Sequence, residues 1–165
     1  MNIVLLEPEI PANTGNIART CACTASSLHL IGPLGFSLEE RQLKRAGLDY
    51  WDKLDVYLYE SYEEFREKHP EARVFMATTK GPRTYAQVNY RPEDYLMFGK
   101  ETAGIPEKIL AANKEWCIRI PMTAHLRSLN LSNAAAIVLY EALRQQGFAG
   151  LEETGNLREY DWETL

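Results

Sequence analysis

The groups that could do chemistry gather in three polar stretches, each following an apolar run. The most informative reads Ile-Arg-Ile-Pro-Met-Thr-Ala-His-Leu-Arg-Ser-Leu-Asn-Leu-Ser-Asn-Ala at 118–134. Ile118 and Ile120 flank Arg119 in strand-like alternation, and Pro121 removes a ladder donor, so a strand is predicted to end in an irregular turn. Asn130 or Ser132 can cap the helix beyond, whose positions Leu131, Ala135, Val138, Leu139 and Ala142 follow helical spacing and which Gly147 stops. The free N–H groups of such a helix point back at the loop and favour acceptor atoms, a carboxylate or a phosphate among them. Ser128, Asn130, Ser132 and Asn133 could equally be a capping cluster and nothing more, and their meaning depends on the other two stretches.

One of these is Glu-Pro-Glu-Ile-Pro-Ala-Asn-Thr-Gly-Asn-Ile-Ala-Arg at 7–19. Its two prolines hold an extended loop, Asn13 or Thr14 opens a helix, and Arg19 falls in the first turns. It is not the Gly-x-Gly-x-x-Gly fingerprint of dinucleotide binding, which argues against a Rossmann dehydrogenase. The other is Phe-Gly-Lys-Glu-Thr-Ala-Gly-Ile-Pro at 98–106, where Gly99 and Gly104 allow a tight backbone path beside a ligand, and Glu101 could orient a backbone or ligand amine or simply be an exposed residue favoured by the dipole of the next helix. Ser128 with His125 could be read as a hydrolytic pair, but no orienting acid or oxyanion hole accompanies them.

These loops need elements to hold them. The pattern predicts strands over 3–6, 28–31, 56–59, 73–78, 95–98 and 116–120. Helices are expected over 15–24, over 38–46, from a Ser61 cap through Lys68, after Pro106, and after Asn130. Strands alternating with helices indicate an α/β domain with a mainly parallel sheet covered on both faces, and ligands bind such sheets at the carboxyl ends of the strands. One domain over 1–165 is expected, with 151–165 a peripheral tail.

Composition narrows the class. The first residues read as a strand rather than a basic leader, and no run reaches the ~18 apolar residues of a membrane span, so a soluble cytosolic protein is expected. Cys21, Cys23 and Cys117 make neither a disulfide framework nor a Cys-x-x-Cys pair, so buried thiols and no metal site are expected. A net charge of -5 argues against coating nucleic acid by bulk electrostatics, although Arg19, Arg41, Lys44, Arg45 and Arg127 could form a local basic patch. His29 and His69 read as structural or solvated.

Taken in order, Asn13-x-x-Asn16-x-x-Arg19, the Gly-x-Glu-x-x-Gly-Ile-Pro of 99–106, and Ile-Pro-Met followed by Ser-Leu-Asn-Leu-Ser-Asn-Ala resemble the three motifs of the SPOUT (SpoU–TrmD) RNA methyltransferases, over nearly the whole chain. The start Asn-Ile-Val-Leu-Leu-Glu-Pro-Glu-Ile-Pro, the Arg-Ala-Gly-Leu-Asp-Tyr of 45–50 and the short length resemble the minimal TrmL/YibK-like group. That resemblance implies a C-terminal deep trefoil knot, an exception to the rule against knotted chains. It also implies a homodimer and transfer of methyl from S-adenosylmethionine to the ribose 2′-oxygen of a tRNA wobble nucleotide. The nucleotide would be cytidine or 5-carboxymethylaminomethyluridine, in leucine isoacceptors.

By the same resemblance the cofactor rests on Ala77, Thr78 and Thr79, on Gly99 and Glu101, and on Ile120, Met122, Ser128 and Leu129. Arg19 corresponds to the motif-one arginine often assigned to activating the hydroxyl; a guanidinium is a poor base, so positioning of phosphate and ribose is the expected role. Asn13, Glu101, Ser128 and Asn130 would surround the transferred methyl. Tyr140 could help with RNA or pack, packing being the expectation, and Ala18, Ala22 and Ala25 with Val138, Ala142 and Leu143 could serve either a subunit contact or the core of one chain. A non-catalytic knotted dimer that binds RNA or S-adenosylmethionine is the alternative of a different class.

Overall fold

Alternate residues of the central strands go to opposite faces of one sheet, and both faces are buried. The computed structural model describes residues 1–37 and 53–164. The helix predicted over 38–46, the basic residues Arg41, Lys44 and Arg45, and the motif at 45–50 lie outside the described residues. The strands are β1 (Asn2–Leu6), β2 (Ser27–Ile31), β3 (Val56–Tyr59), β4 (Val74–Ala77), β5 (Arg83–Thr84), β6 (Tyr95–Phe98) and β7 (Cys117–Arg119). The helices are α1 (Pro11–Cys23), α2 (Tyr62–Lys68), α3 (Glu107–Ala112) and α4 (Leu131–Gln145).

Ile3, Leu5, Leu28, Leu30, Leu96 and Phe98 face one side, where Ile17, Ala18 and Cys21 of α1 and Ala135, Val138, Leu139 and Ala142 of α4 cover them. Val4, Leu6, Ile31, Met76 and Met97 face the other, against Phe65 of α2 and Leu110 of α3. Strands buried on both faces read as unbroken apolar runs, which is why Ile-Val-Leu-Leu at 3–6 carries no polar alternation.

The strand order is β3-β2-β1-β6-β4-β7-β5, and the registered pairs are all parallel. The chain runs outward from β1 to β3 and then returns across the sheet, so β1 and β6 lie side by side where the winding reverses. Leu5 pairs with Phe98, and the segments after them leave the sheet together at its carboxyl edge. Crevices at such reversals are where open α/β sheets take ligands.

Three sequence expectations change. Helix α1 begins at Pro11, earlier than predicted, with proline in the first turn and Ile10 as an N-cap that makes no side-chain cap bond. Proline suits that position because its missing N–H would have no helical partner there. Asn13 and Thr14 are therefore inside the helix and buried, not its caps. Ala18, Val138, Ala142 and Leu143 are buried in the chain's own core, so the single-chain reading holds for them. Tyr140, expected to pack, is 47% exposed beside Ile137 at 37%. The two-residue β5 had no sequence signal.

On the second face, His29 is buried in β2 and its Nδ1 lies 2.8 Å from the Tyr59 hydroxyl, which lies 2.8 Å from His69 Nε2. Tyr95 Oη is 3.1 Å from His69 Nδ1, and His29 Nε2 is 3.4 Å from Asn2 Oδ1. Both histidines thus bridge elements, as structural residues.

Candidate active site

A cavity of about 590 Å³ opens at the carboxyl ends of β1, β4, β6 and β7. That size suits one small-molecule cofactor. Ala77, Thr78 and Thr79 line it from the end of β4; Gly99, Lys100 and Glu101 from the end of β6; Ile120 and Met122 from the end of β7. Ser128, Leu129 and Asn130 enter just before α4, and Ile10 and Asn13 from the start of α1. The candidate cofactor residues therefore share one wall system, although they are separated by up to 52 positions in the chain (77 to 129).

Close backbone approach shapes the walls. A Cβ on Gly99 would collide with the Gly104 carbonyl carbon, because the loop folds back through a Gly104 N–H donated to the Lys100 carbonyl at 2.8 Å. Gly104 itself has φ +70, where an L side chain is strained. On the opposite wall, Thr78 N–H donates to the Ile118 carbonyl at 2.9 Å and Arg119 Nη1 to the Thr79 carbonyl at 2.7 Å, tying the β4 loop to β7.

The polar candidates form a chain. Glu101 Oε2 accepts from the Glu9 N–H at 2.8 Å, and its Oε1 accepts from the Ile10 N–H at 3.1 Å and from Asn13 Nδ2 at 3.0 Å. Asn13 Oδ1 accepts from Asn130 Nδ2 at 3.1 Å, and Asn130 Oδ1 caps α4 by accepting from Ser132 N–H at 2.9 Å and Asn133 N–H at 3.4 Å. One residue from each motif is thereby linked hand to hand: Glu101, Asn13, Asn130. Glu101 holds the two N–H groups just before helix α1, those of Glu9 and Ile10, from 91 positions beyond Ile10.

Arg19 stands apart. It is exposed and absent from the cavity wall. Six residues beyond Asn13 on a helix is about 240° round and about 9 Å further along, so the two side chains leave different faces. Arg127 is the arginine on the wall itself. His125 is exposed in the loop before α4, which offers no triad with Ser128.

Sequence reasoning missed Glu7, Glu9 and Thr102. Lys100 Nζ pairs with Glu7 Oε2 at 2.7 Å, and Thr102 donates to Glu9 through its N–H at 3.0 Å and its hydroxyl at 2.8 Å. The Thr102 hydroxyl and N–H hold the Glu9 carboxyl below its ordinary range, and Glu7 raises Lys100. A signal existed: Glu-x-Glu at 7–9 is complementary to Lys-Glu-Thr at 100–102, once β1 and β6 are known to be parallel neighbours. Among the described residues no acidic, histidine and cysteine cluster could hold a metal ion, and no helix is long and apolar enough to cross a membrane. Cys21 and Cys117 are buried and Cys23 exposed, all as free thiols.

The chain is similar in sequence and fold to known proteins. The tRNA (cytidine(34)-2'-O)-methyltransferase of Escherichia coli K12 is 51% identical over 151 residues, covering 91% of this chain and 96% of its own. A solved structure described as giving insights into the 2-OH methylation of C/U34 on tRNA superposes with a TM-score of 0.83 at 46% identity, over 88% of this chain and 95% of that one. The AdoMet-bound rRNA methyltransferase of Sinorhizobium meliloti superposes at 0.77 with 26% identity, over 87% of this chain and 55% of its own. The SpoU rRNA Methylase family pattern runs over residues 1–140, from β1 through the capped N-terminus of α4 and all three loops of the cavity, and the chain belongs to that family.

Proposed function

We propose that this protein is an S-adenosylmethionine-dependent tRNA methyltransferase that methylates the ribose 2′-oxygen of the wobble nucleotide. The observation that carries the reading is the cavity at the β1/β6 reversal, walled by all three motif loops and joined by the Glu101–Asn13–Asn130 chain. The names of the Escherichia coli relative and of the C/U34 structure agree with it.

The cavity fits S-adenosylmethionine in volume and in kind, since Gly99 leaves backbone bare where a Cβ could not stand. Ala77, Thr78, Gly99, Ile120, Met122, Ser128 and Leu129 would hold it, largely through main chain. When bound, that cofactor supplies a methyl already activated on a sulfonium, so no metal is needed. The chain's own work is placement: it must bring a ribose hydroxyl in line with the S–CH3 bond. Ser128 and Asn130 stand at the mouth before α4, where Arg127 can meet a phosphate. Glu101 is committed to backbone N–H groups and Asn13, so its role is to hold the wall rather than to take the hydroxyl proton.

Chain 1–165 acts as a single domain, its segment after β7 threading a loop to form a knot. Two copies associate through the exposed faces of α1 and α4, where Ile137 and Tyr140 are uncovered. Arg19, turned away from its own cavity, then reaches the substrate at the partner's cavity. The test is label transfer from methyl-tritiated S-adenosylmethionine to total tRNA lacking wobble ribose methylation, beside a calorimetric titration with the cofactor. Binding with transfer is expected. Binding without transfer on every tRNA tried would instead favour a non-catalytic binding protein.

A further inference from the structure

We propose that Glu9 is a positioning residue for methyl transfer, closing with Glu101 a reciprocal clasp that sets the direction of helix α1 relative to the cavity. This rests on the methyltransferase reading above. Each of two neighbouring loops gives a carboxylate to the backbone N–H of the other: Glu101 accepts from Glu9 and Ile10, and Glu9 accepts from Thr102. The Thr102 hydroxyl doubles the second half at 2.8 Å, and the Lys100–Glu7 ion pair at 2.7 Å adds a third tie.

Glu9 is also fixed from outside. Gly35 lies flat on it, since a Cβ there would stand 2.7 Å from the Glu9 Cα, and the Gly35 N–H donates to the Pro8 carbonyl at 2.9 Å. Glu7 has φ 51, a left-handed conformation that turns the chain sharply out of β1. Between this turn and Pro11 there is no free length, so the clasp and the start of α1 move as one body.

The consequence falls on Arg19. It lies eight residues beyond Pro11, about 12 Å along the helix, so a tilt of about 5° at the clasp displaces it by about 1 Å. A misplacement of about 1 Å can lower a transfer rate by about 100-fold. Glu9 itself does not line the cavity, although Thr102, which it holds, does. The Glu101 bonds to the Glu9 and Ile10 N–H groups and to Asn13 do not use the Glu9 side chain, and the Glu9–Thr102 bonds are exposed, so its removal loosens the clasp more than the wall or the core.

The experiment compares Glu9→Ala, Glu9→Gln and the unaltered full-length chain for kcat and KM with tRNA, for S-adenosylmethionine affinity by calorimetry, and for thermal midpoint. Glu9→Ala is expected to lower kcat by about tenfold or more with cofactor affinity and midpoint held near those of the parent. Glu9→Gln keeps an acceptor oxygen for Thr102 and is expected to restore most of kcat. Unchanged kcat in Glu9→Ala overturns the proposal, as does a parallel loss of kcat, cofactor binding and midpoint, which would mark a merely structural residue. A Glu9→Gln variant as poor as Glu9→Ala overturns it too, since the clasp works by geometry. If the unaltered protein transfers no methyl to tRNA, the underlying reading fails first and the clasp with it.

Discussion

Asn13 must donate on one side and accept on the other, to Glu101 at 3.0 Å and from Asn130 at 3.1 Å. An amide does both; a carboxylate cannot. Asn13→Asp would set two carboxylates against each other, raising the pKa of the pair. Protonation would restore the missing donor, so cofactor binding in Asn13→Asp should be weakest at alkaline pH and recover as pH falls through the raised pKa. A calorimetric titration at several pH values checks this, and a flat profile would contradict it. Arg19→Ala is expected to keep cofactor binding and lose transfer, read by the same titration beside a label assay; unchanged transfer would remove Arg19 from the mechanism. Gly99→Ala forces its Cβ into the Gly104 backbone and should abolish cofactor binding, which equilibrium dialysis would detect.

At the level of elements, the aromatic network on the second face assigns its own protons. His29 Nε2–H donates to Asn2, the Tyr59 hydroxyl donates to His29 Nδ1 and accepts from His69 Nε2–H, and Tyr95 donates to His69 Nδ1. That arrangement needs both rings neutral. Burial depresses His29 to about 4, and burial first and then Arg66 and Lys68 depress His69. A depressed histidine binds its proton more readily in the unfolded chain, so its contribution to stability is complete above the ordinary value of 6.5 and is lost as pH falls toward 4. Denaturant titrations between pH 7 and 4 should therefore show falling stability. Tyr59→Phe leaves one acceptor and one donor unpaired and should cost about 1–3 kcal/mol at pH 7. Nothing in the sequence pattern revealed this network, because its members come from β1, β2, β3, β6 and the end of α2. The strands were legible, since β1, β2, β3 and β6 are local apolar runs. The start of α1 was not: Ile10 has no capping side chain, and Glu101 ties down the Glu9 and Ile10 N–H groups through a contact that only the parallel pairing of β1 and β6 creates. The cavity loops were legible through the ordered motifs, whereas Glu9 and Thr102 became visible only with that pairing.

As a whole the molecule is acidic, with a net charge of -5, yet its substrate in this account is a polyanion. Affinity must then rest on a few basic residues such as Arg127 and Arg19. Each neutralised phosphate contributes a slope of about 0.7–0.9 in the fall of log affinity with log salt, so a shallow dependence is expected from filter binding across salt concentrations. Two copies can sum such contacts and bring Arg19 to the opposite cavity. Light scattering at working concentration should report a dimer, and a monomer would dismiss the shared site. The most direct measurement of the central claim is nucleoside mapping of tRNA labelled by this protein from S-adenosylmethionine. A labelled 2′-O-methyl nucleotide at the wobble position is the result expected; label confined to any other position, or no label on tRNA that lacks the modification, would contradict it.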